Sequence, residues 1–304
     1  MIEVLLQMAA FIVCGVAWRR FSQRRLSPKD KREVLTELVY YLFLPALVLD
    51  VLWSASLGRA TADIAMVAAS GVLMGLALAW VAYHLAGTPR PIRGALILAA
   101  GFPNATYLGL PVLQSTLGDW ARAVAIQYDL FACTPLVLTL GIHIARIHGV
   151  GAKPANSLIE LLKVPPLWAA AMGVSLNLGG VAEPAWFHGL LDMMASSVVP
   201  LMLLSLGMGL EWPRGQWRNL PLLFPVLVIQ LGLMPVWAWF ISDFSSVDSS
   251  QRGAVILEAA MPSMVLGVVL CDRFQLNTSI YAAAVTLSTA LSLVTLPFWY
   301  GCLS

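Results

Sequence analysis

The 304-residue chain predicts an all-α polytopic membrane protein of ten transmembrane helices, arranged as two five-helix inverted repeats with the fourth and ninth helices broken. Three observations predict it. Hydrophobic residues make up 59% and charged residues 11%, against roughly 25% charged in an average soluble domain. The mean hydropathy is +0.81, so lipid must be the solvent for most of this surface. Finally, RGALILAAGFP at 93–103 recurs as RGAVILEAAMP at 252–262, with seven of eleven positions identical at an offset of 159 residues.

Apolar segments fall near 3–18, 34–55, 63–86, 93–117, 121–145, 158–178, 189–210, 219–241, 252–271 and 278–302. Most approach the roughly 20 residues that a bilayer requires. The first follows Glu3 and precedes Arg19, Arg20, Arg24 and Arg25. That is the reverse of a cleavable signal's charge order, so the segment is expected to remain as a span.

Loop charge orients the bundle. With the amino end outside, the inner loops hold Arg19, Arg20, Arg24, Arg25, Lys29, Lys31, Arg32, Arg90, Arg146, Lys153, Arg214, Arg218 and Arg273. Arg93 and Lys163 at inner helix ends bring the inner side to 15 of the 18 basic residues, leaving Arg59, Arg122 and Arg252 outside. The positive-inside rule then places both termini at the exterior face. Five spans per half, 1–150 and 151–304, give the halves opposite polarity, and the Arg93 and Arg252 copies enter from opposite faces. Inverted repeats of this kind belong to transporters, and matching interrupted segments point to the substrate site.

The fourth span reads PNATYLGLPVLQSTLGD from Pro103 to Asp119. Two prolines, two glycines and an asparagine are poor mid-helix residues. Pro262 marks the equivalent break in the ninth span. A half-helix that starts at such a break offers unpaired amides and a positive dipole end to an anion. Asn104, Thr106 and Ser263 add directional hydrogen bonds, and Tyr107 lies in the same segment. Unwound carbonyls at the breaks suit cations equally, so substrate and Na⁺ sites are not separable from the residues alone.

Intramembrane acids are expensive and mark ion pathways. Asp50 follows Pro45 in the second span, Asp129 lies within IQYDLF in the fifth, and Glu258 precedes Pro262 by one turn. Glu258 replaces Ala99 of the first copy, adding a titratable group to one break only. These three residues are the candidates for ion coupling.

Other chemistries find no motif. Cys14, Cys133, Cys271 and Cys302 show no CxxC or Cys/His spacing, so they are expected to be buried free thiols, with no zinc site and no disulfide framework. HExxH, GxSxG and GxxxxGK[ST] patterns are absent from the sequence, which argues against an enzyme and against nucleotide-driven transport. Basic residues beside membrane spans give no nucleic-acid footprint. A channel would show a filter motif rather than an inverted repeat.

The pattern PN-x-T-x3-G-x-P (Pro103, Asn104, Thr106, Gly109, Pro111), followed by Gly118-Asp119, resembles the auxin efflux carrier family. SLGMGL at 205–210, EAAMPS at 258–263 and LSTALSLVTLP at 287–297 extend the resemblance along the chain. That family includes the plant PIN carriers and bacterial permeases linked to malate or malonate. The resemblance implies a fold similar to bile acid:sodium symporters, with a scaffold bundle, a core bundle and crossing helices four and nine. It further implies elevator-like alternating access, a bacterial inner (plasma) membrane location and a homodimer through the scaffold. By resemblance, Asn104, Pro111 and Pro262 match the crossover residues, and Gln127 matches a glutamine of the fifth span. Val48 stands where PIN carriers commonly have a serine, which disfavours auxin itself. The expectation is a permease for small organic anions such as carboxylates, without a cofactor and coupled to H⁺ or Na⁺.

Overall fold

A computed structural model describes residues 2–21, 27–55, 57–149, 162, 164–210 and 220–303. Among the described residues all elements are helical, and the sole extended pairing is an isolated antiparallel bridge between Pro103 and Ser263. In chain order the helices are α1 (Ile2–Phe21), α2 (28–54), α3 (Arg59–Leu85), α4 (Arg90–Gly101), α5 (105–117) and α6 (Ala121–His148). The second half continues with α7 (Pro165–Leu178), α8 (Ala185–Gly209), α9 (Leu220–Ser242), α10 (Ser249–Ala259), α11 (Gly267–Arg273) and α12 (Thr278–Leu303). Six of these, α2, α3, α6, α8, α9 and α12, are long and apolar enough to cross a membrane. The others have 20 residues or fewer, and α4/α5 and α10/α11 are the two halves of the interrupted segments.

Local chemistry sets the boundaries. Helix α2 starts about two turns before its apolar run because Ser27 and Asp30 form a reciprocal capping box that extends it into polar sequence. Asp248 caps α10 by accepting from the Gln251 amide at 2.8 Å. That amide and the Ser250 hydroxyl hold the Asp248 carboxyl below its ordinary range. The boundary at 150/151, the start of the sixth apolar segment at 158–161 and the loop charges Arg24, Arg25, Lys153, Lys163, Arg214 and Arg218 lie outside the described residues. The cysteines divide: Cys133 and Cys271 are buried, whereas Cys14 and Cys302 are exposed. The expectation of four buried thiols is therefore corrected for the pair on outward helix faces.

Prolines shape the long helices through wide π-type turns. Residues 39–43, 105–109, 129–133 and 229–233 each form one, and Pro45, Pro111, Pro135 and Pro235 follow two residues later. A proline lacks a donor and its ring collides with the carbonyl four residues back. Widening the preceding turn moves that carbonyl aside, so the helix continues, as in α2, α6 and α9. A fifth such turn, 137–141, has no following proline.

The helices sort into two packed groups. Helices α1, α2, α7 and α8 pack mainly on one another, as do α3–α6 with α9–α12. Within the first group α1 and α8 approach backbone to backbone through Gly15 and Gly207. A Cβ at Gly207 would run into the Ile12 carbonyl, and one at Gly15 into that of Leu204. Small residues at such crossings are how helices associate where lipid removes the hydrophobic drive. Gly207→Val is therefore expected to lower the melting temperature of the detergent-purified protein by several degrees, reflecting overpacking strain of roughly 1–3 kcal/mol. Gly189→Ala, with no neighbour within 4 Å of the new Cβ, should not lower it; equal losses would remove the close crossing as the cause.

Candidate functional site

The two interrupted segments meet at their breaks. The Asn104 amide donates to the Pro262 carbonyl at 2.8 Å, and the Met264 amide donates to the Phe102 carbonyl at 2.9 Å. These bonds flank Pro103 and Ser263, and at that bridge position Pro103 needs no N–H. The bridge sits one residue away from the register of the sequence repeat, which would set Pro103 against Pro262.

Breaking a helix frees backbone groups that apolar surroundings cannot solvate. At the second break three side chains take them up. Gln230 Nε2 donates to the Met261 carbonyl at 2.9 Å, the Ser263 amide donates to Ser288 Oγ at 3.1 Å, and the Tyr281 hydroxyl donates to the Met264 carbonyl at 2.7 Å. All three residues are fully buried. Gly267 gives Tyr281 its room, since a Cβ there would overlap the phenol. Sequence reasoning weighed charged intramembrane residues and polar residues at the breaks and in the fifth span, and so missed this trio, which is uncharged and comes from helices α9 and α12. Isolated polar side chains in apolar segments were the available signal for Gln230 and Ser288.

A cavity of about 90 Å³ opens at the seam between the two helix groups. Tyr40 and Leu44 of α2 and Val164 and Pro166 at α7 line it from one group. Pro103–Tyr107, Asp129, Leu130, Thr134, Val137, Leu138, Met264 and Leu266 line it from the other. Four of the five wide turns among the described residues contribute to this wall: Tyr40, Ala105–Tyr107, Asp129–Leu130 and Val137–Leu138. Wide turns change the direction of side chains along a helix and recur at functional sites.

Of the residues expected from the sequence, Pro103, Asn104, Thr106, Tyr107 and Asp129 converge on this cavity. Thr106 Oγ1 donates to Asp129 Oδ2, and Thr134 Oγ1 donates to Asp129 Oδ1 at 3.2 Å. The side-chain nitrogen of Asn104 (Nδ2) and the hydroxyl of Tyr107 are buried and have no hydrogen-bond partner. Buried polar atoms without partners are uncommon and call for an explanation. Among the described residues no Lys, Arg or His lines the cavity.

The remaining candidates lie elsewhere. Gln127 and Pro111 are buried but do not line the cavity. Pro262 and Ser263 form the second break behind it, with Ser263 Oγ unpartnered. Glu258 is fully buried and both of its carboxylate oxygens lack partners. Its carboxyl occupies the space beside Gly109 where any Cβ would overlap it. Asp50 faces a different neighbourhood, beside Arg122, Glu183 and His188 at the end of α2.

Gly109 thus makes room for Glu258. Gly109→Ala should destabilise the protein, and Glu258→Ala in the same chain should relieve the collision. In a double-mutant cycle read by melting temperature, the pair is expected to lose less than the sum of the single changes, by about 0.5–3 kcal/mol. Strict additivity would show that the two positions do not collide.

Comparison with known proteins points to membrane transport. A family model described as membrane transport protein matches residues 4–157 and 152–300. An uncharacterized transporter of Methanothermobacter thermautotrophicus is 28% identical over 275 residues, covering 89% of each chain. One of Methanocaldococcus jannaschii is 26% identical over 214 residues, covering 68% of this chain and 67% of its own. The uncharacterized transporter YfdV of Escherichia coli is 23% identical over 207 residues, covering 66% and 65%.

Proposed function

This chain belongs to the membrane transport protein family of the auxin efflux carriers, and from that premise we propose that it is a secondary active transporter of small organic anions, chiefly carboxylates. The observation that carries the substrate class is the pair of unpartnered donors in the seam cavity, Asn104 Nδ2 and Tyr107 Oη. Two buried donors converging on one space suit a ligand with two acceptor oxygens. The start of α5 at Ala105 adds first-turn amides that have no acceptor within the helix.

Ten membrane passages follow if α1, α7 and the two interrupted pairs α4/α5 and α10/α11 join the six long helices. The halves 1–150 and 151–304 then form an inverted repeat, with both termini outside a bacterial inner membrane. The helix grouping supports an elevator-like motion. Helices α1, α2, α7 and α8 serve as the scaffold, and the other group carries the crossed breaks past it, exposing the cavity to each side in turn.

Asp129 gives the coupling its logic. A carboxylate ligand beside an ionised Asp129 would be repelled at close range, so the anion enters with a proton on Asp129. Glu258, sealed behind Gly109, is a second place for a proton, because an unpaired charge in an apolar interior is costly. A second reading, sodium coupling, draws on the Asp129 carboxylate and the Thr106 and Thr134 hydroxyls, a hard oxygen set that suits Na⁺.

Counterflow in proteoliposomes tests the carrier itself: saturable exchange of dicarboxylates or aromatic acids is expected, and linear, non-saturable flux would return the channel reading. Asn104→Ala and Tyr107→Phe should each weaken carboxylate binding roughly tenfold or more, as for loss of a hydrogen bond to a charged group, with little change in melting temperature. Unchanged affinity in both would remove the donors from the site. Binding in the parent protein should strengthen as pH falls, and Asp129→Asn should flatten that dependence. A dependence on Na⁺ at constant pH would favour the sodium reading, and pH-dependent transport unaltered in Glu258→Gln would exclude Glu258 from coupling.

A further inference from the structure

A second cluster lies away from the seam cavity, where the end of α2 meets the start of α8. His188 Nδ1 stands 3.1 Å from Asp50 Oδ1 and 3.3 Å from Glu183 Oε2. One ligand atom from each of the three residues lies within 4.8 Å of the others. A single Nδ1 hydrogen cannot serve two carboxylates well, and Glu183 Oε1 is buried with no partner at all. The Asp50 side chain is only 9% exposed, so this is not a solvated group of surface acids.

We propose that Asp50, Glu183 and His188 bind one divalent transition-metal ion of the zinc type. One imidazole nitrogen and two carboxylate oxygens make a donor set suited to Zn²⁺. Ligands at bonds of about 2.0–2.1 Å around a tetrahedral ion are spaced by about 3.3 Å, close to both nitrogen–oxygen separations here. The Arg122 guanidinium, 3.6 Å from Asp50 Oδ2, takes the oxygen that the metal would not use. Holding a ligating carboxylate from outside in this way fixes its orientation. A fourth position on the solvent side of His188, whose side chain is 58% exposed, would take water. The ion would tie the loop before α8 to α2, two elements of the scaffold group. None of Asp50, Glu183 and His188 lines the seam cavity, so this site is independent of the transport reading.

The test uses the full-length protein in detergent, stripped with chelator and carrying Cys14→Ser and Cys302→Ser so that the two exposed thiols do not contribute. Titration with Zn²⁺ by calorimetry should show one ion per chain, and Zn²⁺ but not Mg²⁺ should raise the melting temperature. His188→Ala and Glu183→Gln should each weaken the affinity at least tenfold and abolish the thermal shift, whereas His143→Ala should leave both unchanged. His188 is solvent-facing and Glu183→Gln is nearly isosteric, so at least one variant will report on a folded protein. Absence of stoichiometric binding in the parent, or undiminished affinity in the folded variants, would overturn the site and leave a hydrogen-bonded His188 between two carboxylates.

Discussion

Two backbone hydrogen bonds, Asn104 to Pro262 and Met264 to Phe102, hold the two interrupted segments against each other. A helix broken in an apolar interior exposes amides and carbonyls that neither lipid nor side-chain hydrocarbon can satisfy. Each break is tolerated because the other supplies part of what it lost. Gln230, Ser288 and Tyr281 complete the accounting around the second one. The positions of Asn104, Thr106 and Tyr107 follow from this pairing, since all three leave the same break within four residues.

The wide turns matter next. A membrane helix with a regular pitch would carry Tyr40, Thr106 and Asp129 along fixed directions, and prolines at 45, 111 and 135 would interrupt it. The wide turns absorb those prolines and turn the residues just before them into one cavity. Helix continuity and site construction are thus two results of one local distortion. The Thr106–Asp129 hydrogen bond joins two such turns across α5 and α6.

The three intramembrane acids show how differently one residue type can be used. Asp129 faces the cavity with two hydroxyl donors. Glu258 is sealed without partners against a glycine. Asp50 sits among Arg122, Glu183 and His188. Each lies in an apolar stretch, and their immediate sequence contexts offer no means of telling them apart. Their neighbours come from other helices, 23 residues away for Thr106 and 138 for His188. A glycine such as Gly109 is equally mute in sequence: its role is to be absent where the Glu258 carboxyl lies.

Composition, proline placement and the 93–103/252–262 repeat determined that the chain is helical and apolar, and that it is interrupted near 103 and 262, because these depend on solvent preference and on local backbone chemistry. The motif around Pro103–Pro111 likewise carried the family. Register, pairing and side-chain direction were decided only in three dimensions. The bridge takes Ser263 rather than Pro262 opposite Pro103, Gln127 turns away from the cavity that Tyr40 and Thr134 enter, and Asp50 meets His188. Such choices depend on which helices touch and at what height, and contacts between distant segments leave no periodic trace in the order of the residues.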